Sequence, residues 1–283
     1  MKKYISSGSW FSFLYPDAWH EFEDEPGSFL FYNPTSWTGN FRISASMDAS
    51  ASFADDTMNR ELAEYADATR VNIGGRDYVH SREIFQESGV WYTSHFWVTG
   101  EKQMVVYITY TLPKGESPDE ALKVLETLSL LNPNKPACHE VIPVRLMEIV
   151  LINEAYERTQ KEVKNLLKKD FSSSTVSTSL SYLQRLHDEG TLKNHPTTWE
   201  RLGRVLGCFL VEEMDGVEWV TVIDGVKEYP ALCFKTDGDS SLLPFASLEK
   251  VECQLVDPSQ IIVKSMVDGK IDFAQVYGKL LES

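Results

Sequence analysis

Long apolar segments are missing from this sequence. No window approaches the ~18 consecutive apolar residues that a membrane-spanning helix needs, so no transmembrane helix is predicted. Two lysines follow Met1, but the apolar stretch that completes a secretory signal does not come after them. These two absences predict a chain without a signal peptide, and the expected location is the cytoplasm.

Cysteine is scarce and shows no metal-binding or redox spacing. Its four positions, Cys138, Cys208, Cys233 and Cys253, all lie in the second half, and none forms a Cys-x-x-Cys pair. A disulfide or a zinc site is the alternative to four free thiols that pack as small apolar side chains. The sequence favours free thiols, which suit a reducing compartment.

Signatures of catalysis are also missing. The sequence contains no Gly-x-Ser-x-Gly, His-Glu-x-x-His or His-x-His pattern, and no glycine-rich phosphate loop. Cys138 and His139 are neighbours, but adjacent residues of an extended segment point apart and do not pair as nucleophile and base. No catalytic residue, metal or cofactor is therefore predicted, and the balance leans away from an enzyme.

Positive charge is in deficit. The 27 Lys and Arg residues face 42 Asp and Glu residues, which leaves a net charge of -15, and both halves of the chain are acidic. Such a field repels phosphate backbones and anionic lipids, so neither nucleic acid nor a membrane is an expected partner. A protein partner is expected instead, and a basic one would fit best. The sequence leaves open whether a small-molecule ligand exists.

The length of 283 residues predicts two domains, because a single hydrophobic core rarely keeps growing at this size. Pro133 and Pro136 follow an apolar helical pattern that neither proline can continue. The expected organisation is a first domain over residues 1–132, a linker over 133–137 and a second domain over 138–283.

Periodicity predicts an α+β fold. In the first half, strand patterns near residues 29–32 and 41–47 precede a helical pattern over 54–66. Three runs of β-branched and aromatic residues between Tyr78 and Leu112 then predict an antiparallel meander. The second half shows helical spacing first and strand patterns later; the helices are predicted over 144–168, 176–187, 199–213 and 270–281, and the strands over 217–223 and 229–235.

Several features of the first half occur together in one known superfamily. They are Tyr15-Pro16-Asp17-Ala18-Trp19, a helix, a Gly74-Gly75 turn into a long meander, and the closing Leu125-Glu126-Thr127-Leu128-Ser129-Leu130. This order resembles the PsbP-like fold, which implies an antiparallel sheet between helical layers and, by its better-known members, a binding protein. The second half, with Trp199-Glu200-Arg201-Leu202-Gly203, resembles a bacterial domain family of unknown function. It is expected to place helices before a small antiparallel sheet.

Five residues are the candidate binding residues. Trp19, His20 and Trp37 lie near predicted strand ends or loops, where a tryptophan either borders a recognition surface or closes the end of the core. His80 and His95 lie on adjacent predicted strands and could meet across them, either to share a ligand or as packed histidines.

The leading hypothesis is a non-enzymatic accessory or adaptor protein that acts through protein binding. One alternative is a small-molecule-binding or catalytic protein whose site lies in a cleft between the two domains, where ligands often bind. A second alternative is an immunity-type protein that neutralises a basic protein, because the charge argument applies to it equally.

Overall fold

A computed structural model describes most of the chain, namely residues 1–25, 27–132, 139–171, 174–225, 227–235, 253–266 and 270–282. The predicted linker over 133–137 lies outside these residues, as does Cys138. The chain divides into two compact units, chiefly Met1–Ile142 and the residues from Pro143 onward. Each combines helices with strands, so the predicted α+β class is confirmed.

The described residues form fourteen strands and seven helices. The strands are β1 (Lys2–Ile5), β2 (Phe11–Tyr15), β3 (His20–Glu25), β4 (Ser28–Tyr32), β5 (Asn40–Met47), β6 (Thr69–Ile73), β7 (Arg76–Glu87), β8 (Val90–Glu101), β9 (Met104–Pro113), β10 (Ser129–Leu130), β11 (Glu140–Pro143), β12 (Val217–Asp224), β13 (Lys227–Lys235) and β14 (Cys253–Val256). The helices are α1 (Phe53–Glu64), α2 (Asp119–Leu125), α3 (Leu146–Leu167), α4 (Val176–Asp188), α5 (Pro196–Glu213), α6 (Pro258–Ser265) and α7 (Phe273–Leu281). Among these helices, none is long and apolar enough to cross a membrane.

The first unit is built on a seven-stranded antiparallel sheet in the order β3-β4-β5-β9-β8-β7-β6. Strands β7, β8 and β9 are the predicted meander. Ser88 and Gly89 have positive φ angles of 49° and 84°, which form the tight turn between β7 and β8. Gly74 and Gly75, also at positive φ, form the turn between β6 and β7.

One face of this sheet is covered by α2 and by a second sheet in the order β1-β2-β10. Alternate residues of β2 are buried, as expected for a strand with one face in a core. Phe13 of β2 packs edge-on against Phe31 of β4, with ring centroids 5.3 Å apart. Ala121 and Val124 of α2 join the same core. The layer opposite the main sheet is therefore partly helix and partly strand.

Helix α1 lies on the other face, over one end of β7, β8 and β9. Ala54 and Met58 of this helix pack against Val79, Val98 and Val105. This second, smaller core covers only part of the face. Residues of the face that lie beyond α1, such as Phe96, remain partly exposed.

The second unit has its core around α5. Nine residues of α5 are buried, and Leu202, Leu206 and Leu210 have no exposed surface. Leu183 of α4 and Phe273 of α7 belong to the same cluster. Helices α3, α4, α5 and α7 and strands β12 and β13 form where their spacing predicts them, whereas α6 was not predicted. These strands lie in a sheet of order β11-β12-β13-β14.

The prediction of four free thiols is wrong for two of the cysteines. Cys233 of β13 and Cys253 of β14 form a disulfide, because antiparallel pairing of the two strands brings their Cα atoms to 5.5 Å. The two residues are 20 positions apart, so no local spacing indicated the bond. Cys208 is a free thiol. The cysteines therefore no longer indicate a reducing compartment.

Close helix packing explains the two glycines of α5. A Cβ atom on Gly203 would lie 2.5 Å from the Cα of Ser259 at the start of α6, and a Cβ atom on Gly207 would lie 2.3 Å from the ring of Trp219. Both distances are far below normal contact distances. The two positions need glycine because neighbouring elements approach the helix backbone directly.

Replacing Gly203 by alanine is expected to lower the free energy of unfolding by about 1–3 kcal/mol, because the backbone of α6 must move to accept the methyl group. The matched control is Gly278→Ala in α7, where nothing lies within 4 Å of the added Cβ. That variant should gain roughly 0.5–1 kcal/mol from helix propensity. Urea unfolding followed by circular dichroism would measure both changes, and equal stability of the two variants would contradict the packing argument.

Candidate functional site

The register of the seven-stranded sheet assigns each side chain to one of its two faces. Residues directly opposite each other in antiparallel strands point to the same side. One such row across the sheet is Phe31, Phe41, Tyr110 and His95. Three of these are at most 1% exposed and His95 is 9% exposed, so this side is the core side.

The neighbouring row points the other way. It runs through Phe22, Leu30, Arg42, Thr109 and Phe96 from β3 to β8. All five are partly or fully exposed, and α1 packs only beyond them, toward Val79 and Val98. Three of the five residues in this row are apolar, whereas a sheet face that only contacts water usually carries polar side chains.

We call the partly exposed apolar side chains on this side the aromatic face. Its members are Phe22, Leu30, Tyr32, Phe85, Tyr92, Phe96 and Tyr107. Two pairs of rings stack on each other: Phe22 on Tyr32 at 4.2 Å and Phe85 on Tyr92 at 5.6 Å between centroids. The contacts hold the rings in place, which lowers the entropy that a partner would have to remove on binding.

A groove of about 680 Å³ runs along the aromatic face beside α1. Glu61 and Tyr65 line its helical side, while Glu83, Phe96 and Tyr107 line its sheet side. Tyr65 follows the last residue of α1 and is 47% exposed. Glu64, Glu61 and Glu83 raise the pKa of its phenol, because negative charge nearby disfavours the phenolate. The groove therefore combines aromatic walls with negative potential.

The three candidates predicted near loops or strand ends are Trp19, His20 and Trp37, and the structure gives them different environments. Trp19 is 1% exposed and packs against Phe41 and Tyr110, so it belongs to the core and offers no surface. His20 is exposed at the first residue of β3, where it pairs with Tyr32 on the side of the aromatic face. Trp37 borders that face as well.

The position of Trp37 is set by two contacts. Its ring meets Tyr92 of the aromatic face edge-on, with centroids 6.2 Å apart. Its Nε1–H donates a hydrogen bond of 2.7 Å to Asn40. The side chain remains 41% exposed. Trp37 thus extends the aromatic face at its rim.

His80 and His95 meet, as the sequence suggested. The distance between His80 Nε2 and His95 Nδ1 is 3.0 Å, and the two rings lie nearly parallel. Both rings also stack on Trp97, at 5.1 and 5.5 Å between centroids. This cluster is on the core side of the sheet, opposite the aromatic face, so the five candidates do not form one site.

Burial lowers the pKa of both imidazoles, because the charged forms would lose their hydration. For His95 the value falls to about 4, with His80 and Arg82 adding repulsion. A neutral pair shares one proton across the 3.0 Å hydrogen bond, with one ring donating and the other accepting. The arrangement satisfies two partly buried polar groups, which is the packed-histidine interpretation of the pair.

Other reactive groups are dispersed or shielded. Among the described residues, no three His, Cys, Asp or Glu side chains converge in a way that could hold a metal ion. Burial, assisted by Glu212, raises the pKa of the free Cys208 thiol to about 12, so the nucleophilic thiolate is disfavoured.

Sequence reasoning did not single out the residues that line the groove. Tyr65, Phe96 and Tyr107 occur in regular helix or strand patterns, where apolar residues are expected in a core. Only the partial cover by α1 decides that they remain accessible.

Acidification from pH 6.5 to about 4 is expected to destabilise the first unit through His95. The folded state holds this ring neutral, so its stabilising contribution is complete above pH 6.5 and is lost as the pH falls toward 4. An NMR titration of the imidazole Cε1–H should give a His95 midpoint near 4. The variant His95→Gln should lose stability less steeply over this range, and a His95 midpoint at or above 6.5 would contradict the burial argument.

Comparison with known proteins gives relatives without a stated activity. Residues 1–153 match a domain of unknown function, DUF3805, and residues 179–277 match another, DUF3806. A crystal structure from Bacteroides thetaiotaomicron VPI-5482 is 39% identical, covers 99% of this chain and 98% of its own, and has a TM-score of 0.86. No match was found among curated proteins.

Two remote structures match about half of the chain. A solution structure of cyanobacterial PsbP from Synechocystis sp. PCC 6803 is 15% identical, covers 46% of this chain and 91% of its own, and has a TM-score of 0.29. LpqN of Mycobacterium tuberculosis, described as involved in cell envelope biogenesis, is 14% identical, with coverages of 43% and 83% and a TM-score of 0.32. Nothing about the fold or the activity of this chain follows from either match. The match over residues 1–153 shows that the chain belongs to the DUF3805 family.

Proposed function

We propose that this chain is a non-enzymatic accessory or adaptor protein that binds a partner protein through the aromatic face. The observation that carries the proposal is the row of partly exposed apolar side chains on a sheet whose other side is a core. Tyrosine, phenylalanine and tryptophan are enriched at the centres of protein interfaces, because they bury a large area with little loss of side-chain freedom.

The borders of the aromatic face support the proposal. Trp37 and Tyr65 are 41% and 47% exposed at two of its edges, which is more than single packed aromatics usually show. Exposed aromatic side chains gathered on one face of a sheet and bordered by polar residues are typical of interaction sites.

The charge of the chain favours a basic partner. A net charge of -15 attracts positively charged proteins from a distance and raises the rate at which they meet the surface. An adaptor and a neutraliser of a basic protein would both use this surface, and they differ only in what binding does to the partner.

A second candidate function is small-molecule binding in the groove beside α1. Its volume of about 680 Å³ falls within the roughly 300–1,000 Å³ of ligand pockets. This candidate predicts stabilisation by one metabolite of a panel. A ligand at ~100 times its Kd would add roughly 2.7 kcal/mol to the free energy of unfolding.

Photo-crosslinking in the native cells would test the proposal. A benzoyl-phenylalanine introduced at Tyr92 or Tyr107 should trap one defined partner, while the same group at Asn165, an exposed position of α3, should not. The partner is then purified and its affinity measured. Tyr32→Ala and Tyr92→Ala should each weaken binding about tenfold or more, because central aromatic residues contribute on the order of 1–2 kcal/mol each.

Two controls accompany this measurement. Each variant should keep the circular dichroism spectrum and a cooperative melting transition, so that lost binding is not lost folding. Lys164→Ala, an exposed position of α3, should leave the affinity unchanged. Equal crosslinking at Asn165, or full affinity in both tyrosine variants, would refute binding through the aromatic face.

A further inference from the structure

The groove beside α1 is the part of the aromatic face with the most specific chemistry. It lies where the end of α1 passes over β7, β8 and β9, so that helix and sheet residues face each other. Phe96 and Tyr107 supply rings from the sheet, and Tyr65 supplies a third from the helix side. The three rings come from different elements and converge on one space.

Carboxylates surround this space. Glu61 and Glu83 line the groove from opposite sides. Glu64, Glu61 and Glu83 all act on the Tyr65 phenol in the same direction, which places three negative charges around one ring. Arg42, opposite Thr109 of the groove lining, brings one positive charge to the same face. The three carboxylates outnumber it around Tyr65.

Arg82 also lines the groove. The strand register, however, turns its side chain away from the carboxylates of Glu61 and Glu83. Arg82 pairs with His95, so its side chain belongs to the opposite side of the sheet. Its backbone N–H donates to the carboxylate of Asp67 at 3.1 Å. Its charge acts on His80 and His95, whose pKa values it helps to lower. The carboxylates of Glu61 and Glu83 therefore face the groove without this arginine between them.

We propose that the groove takes a lysine or arginine side chain of the partner protein, with its charge between Glu61 and Glu83 and its carbon chain against Phe96 and Tyr107. This inference rests on the proposed function and specifies where and by what chemistry the partner is bound. The faces of aromatic rings attract cations, and the attraction increases when carboxylates lie nearby and water is excluded.

Other occupants fit the groove less well. An acidic or phosphorylated side chain would be repelled by Glu61, Glu64 and Glu83. A purely apolar side chain would fill the aromatic part but would remove water from the carboxylates without replacing its hydrogen bonds, which is costly. A cationic side chain satisfies both requirements, because it carries an apolar stem and a charged end.

The probe for the test is a set of four acetylated and amidated pentapeptides of glycine and alanine. They differ only in the central residue, which is lysine, arginine, norleucine or glutamate. Amide NMR spectra of the whole chain are recorded during titration. Lysine and arginine peptides should shift the resonances of α1 and β7–β9 in a saturable manner, and the norleucine and glutamate peptides should bind at least about fivefold more weakly.

The decisive variant is Glu61→Gln with Glu83→Gln. It should weaken lysine-peptide binding by about fivefold to tenfold, because both carboxylate charges are removed while the shape of the side chains is kept. The matched control is Glu101→Gln with Glu116→Gln, which removes the same charge from two exposed positions outside the groove. This control should change the affinity by less than about twofold.

Each outcome decides the inference. Equal binding of the norleucine peptide, shifts outside α1 and β7–β9, equal losses in the two double variants, or no saturable shift at about 10 mM lysine peptide would overturn it. The purified partner separates this failure from that of the proposed function. If Glu61→Gln with Glu83→Gln binds the partner normally while Tyr92→Ala does not, the aromatic face stands and the cationic side chain is refuted.

Discussion

The alternation of side chains across the seven-stranded sheet is the constraint on which the rest of the first unit depends. Phe31, Phe41 and Tyr110 point into the core, and the residues next to them point away from it. A shift of one residue in register would move every one of these rings to the other side. The same pairing that builds the core therefore also builds the aromatic face, and neither can be changed alone.

The polar chemistry of the molecule serves mainly to satisfy buried groups. His80 and His95 share a hydrogen bond beside Trp97, and Arg145 at the start of α3 pairs with Glu228 at 2.9 Å. Such groups stabilise the fold because each has a partner, and a partnered group is not available to a substrate.

The sequence anticipated the elements better than the surface. The meander over β7–β9 and the helices α3, α4, α5 and α7 formed where periodicity placed them, because strong two-residue and 3.6-residue patterns reflect which side is buried. The short helix α6 was missed. The meeting of His80 and His95 followed from adjacent strands. The bond between Cys233 and Cys253 was missed, because it depends on strands that are distant in sequence. Of the two interpretations of Trp19, the recognition surface and the end of the core, its burial supports the core.

The sequence by itself determined the α+β class, the acidic charge and the order of helices and strands, because these follow from composition and local periodicity. Tertiary structure alone decided which apolar residues stay accessible. Phe96 and Val98 have the same pattern on the same strand, yet α1 packs on Val98 and ends before it covers Phe96. Where a helix stops relative to a sheet is a matter of long-range packing, and no local pattern of residues encodes it.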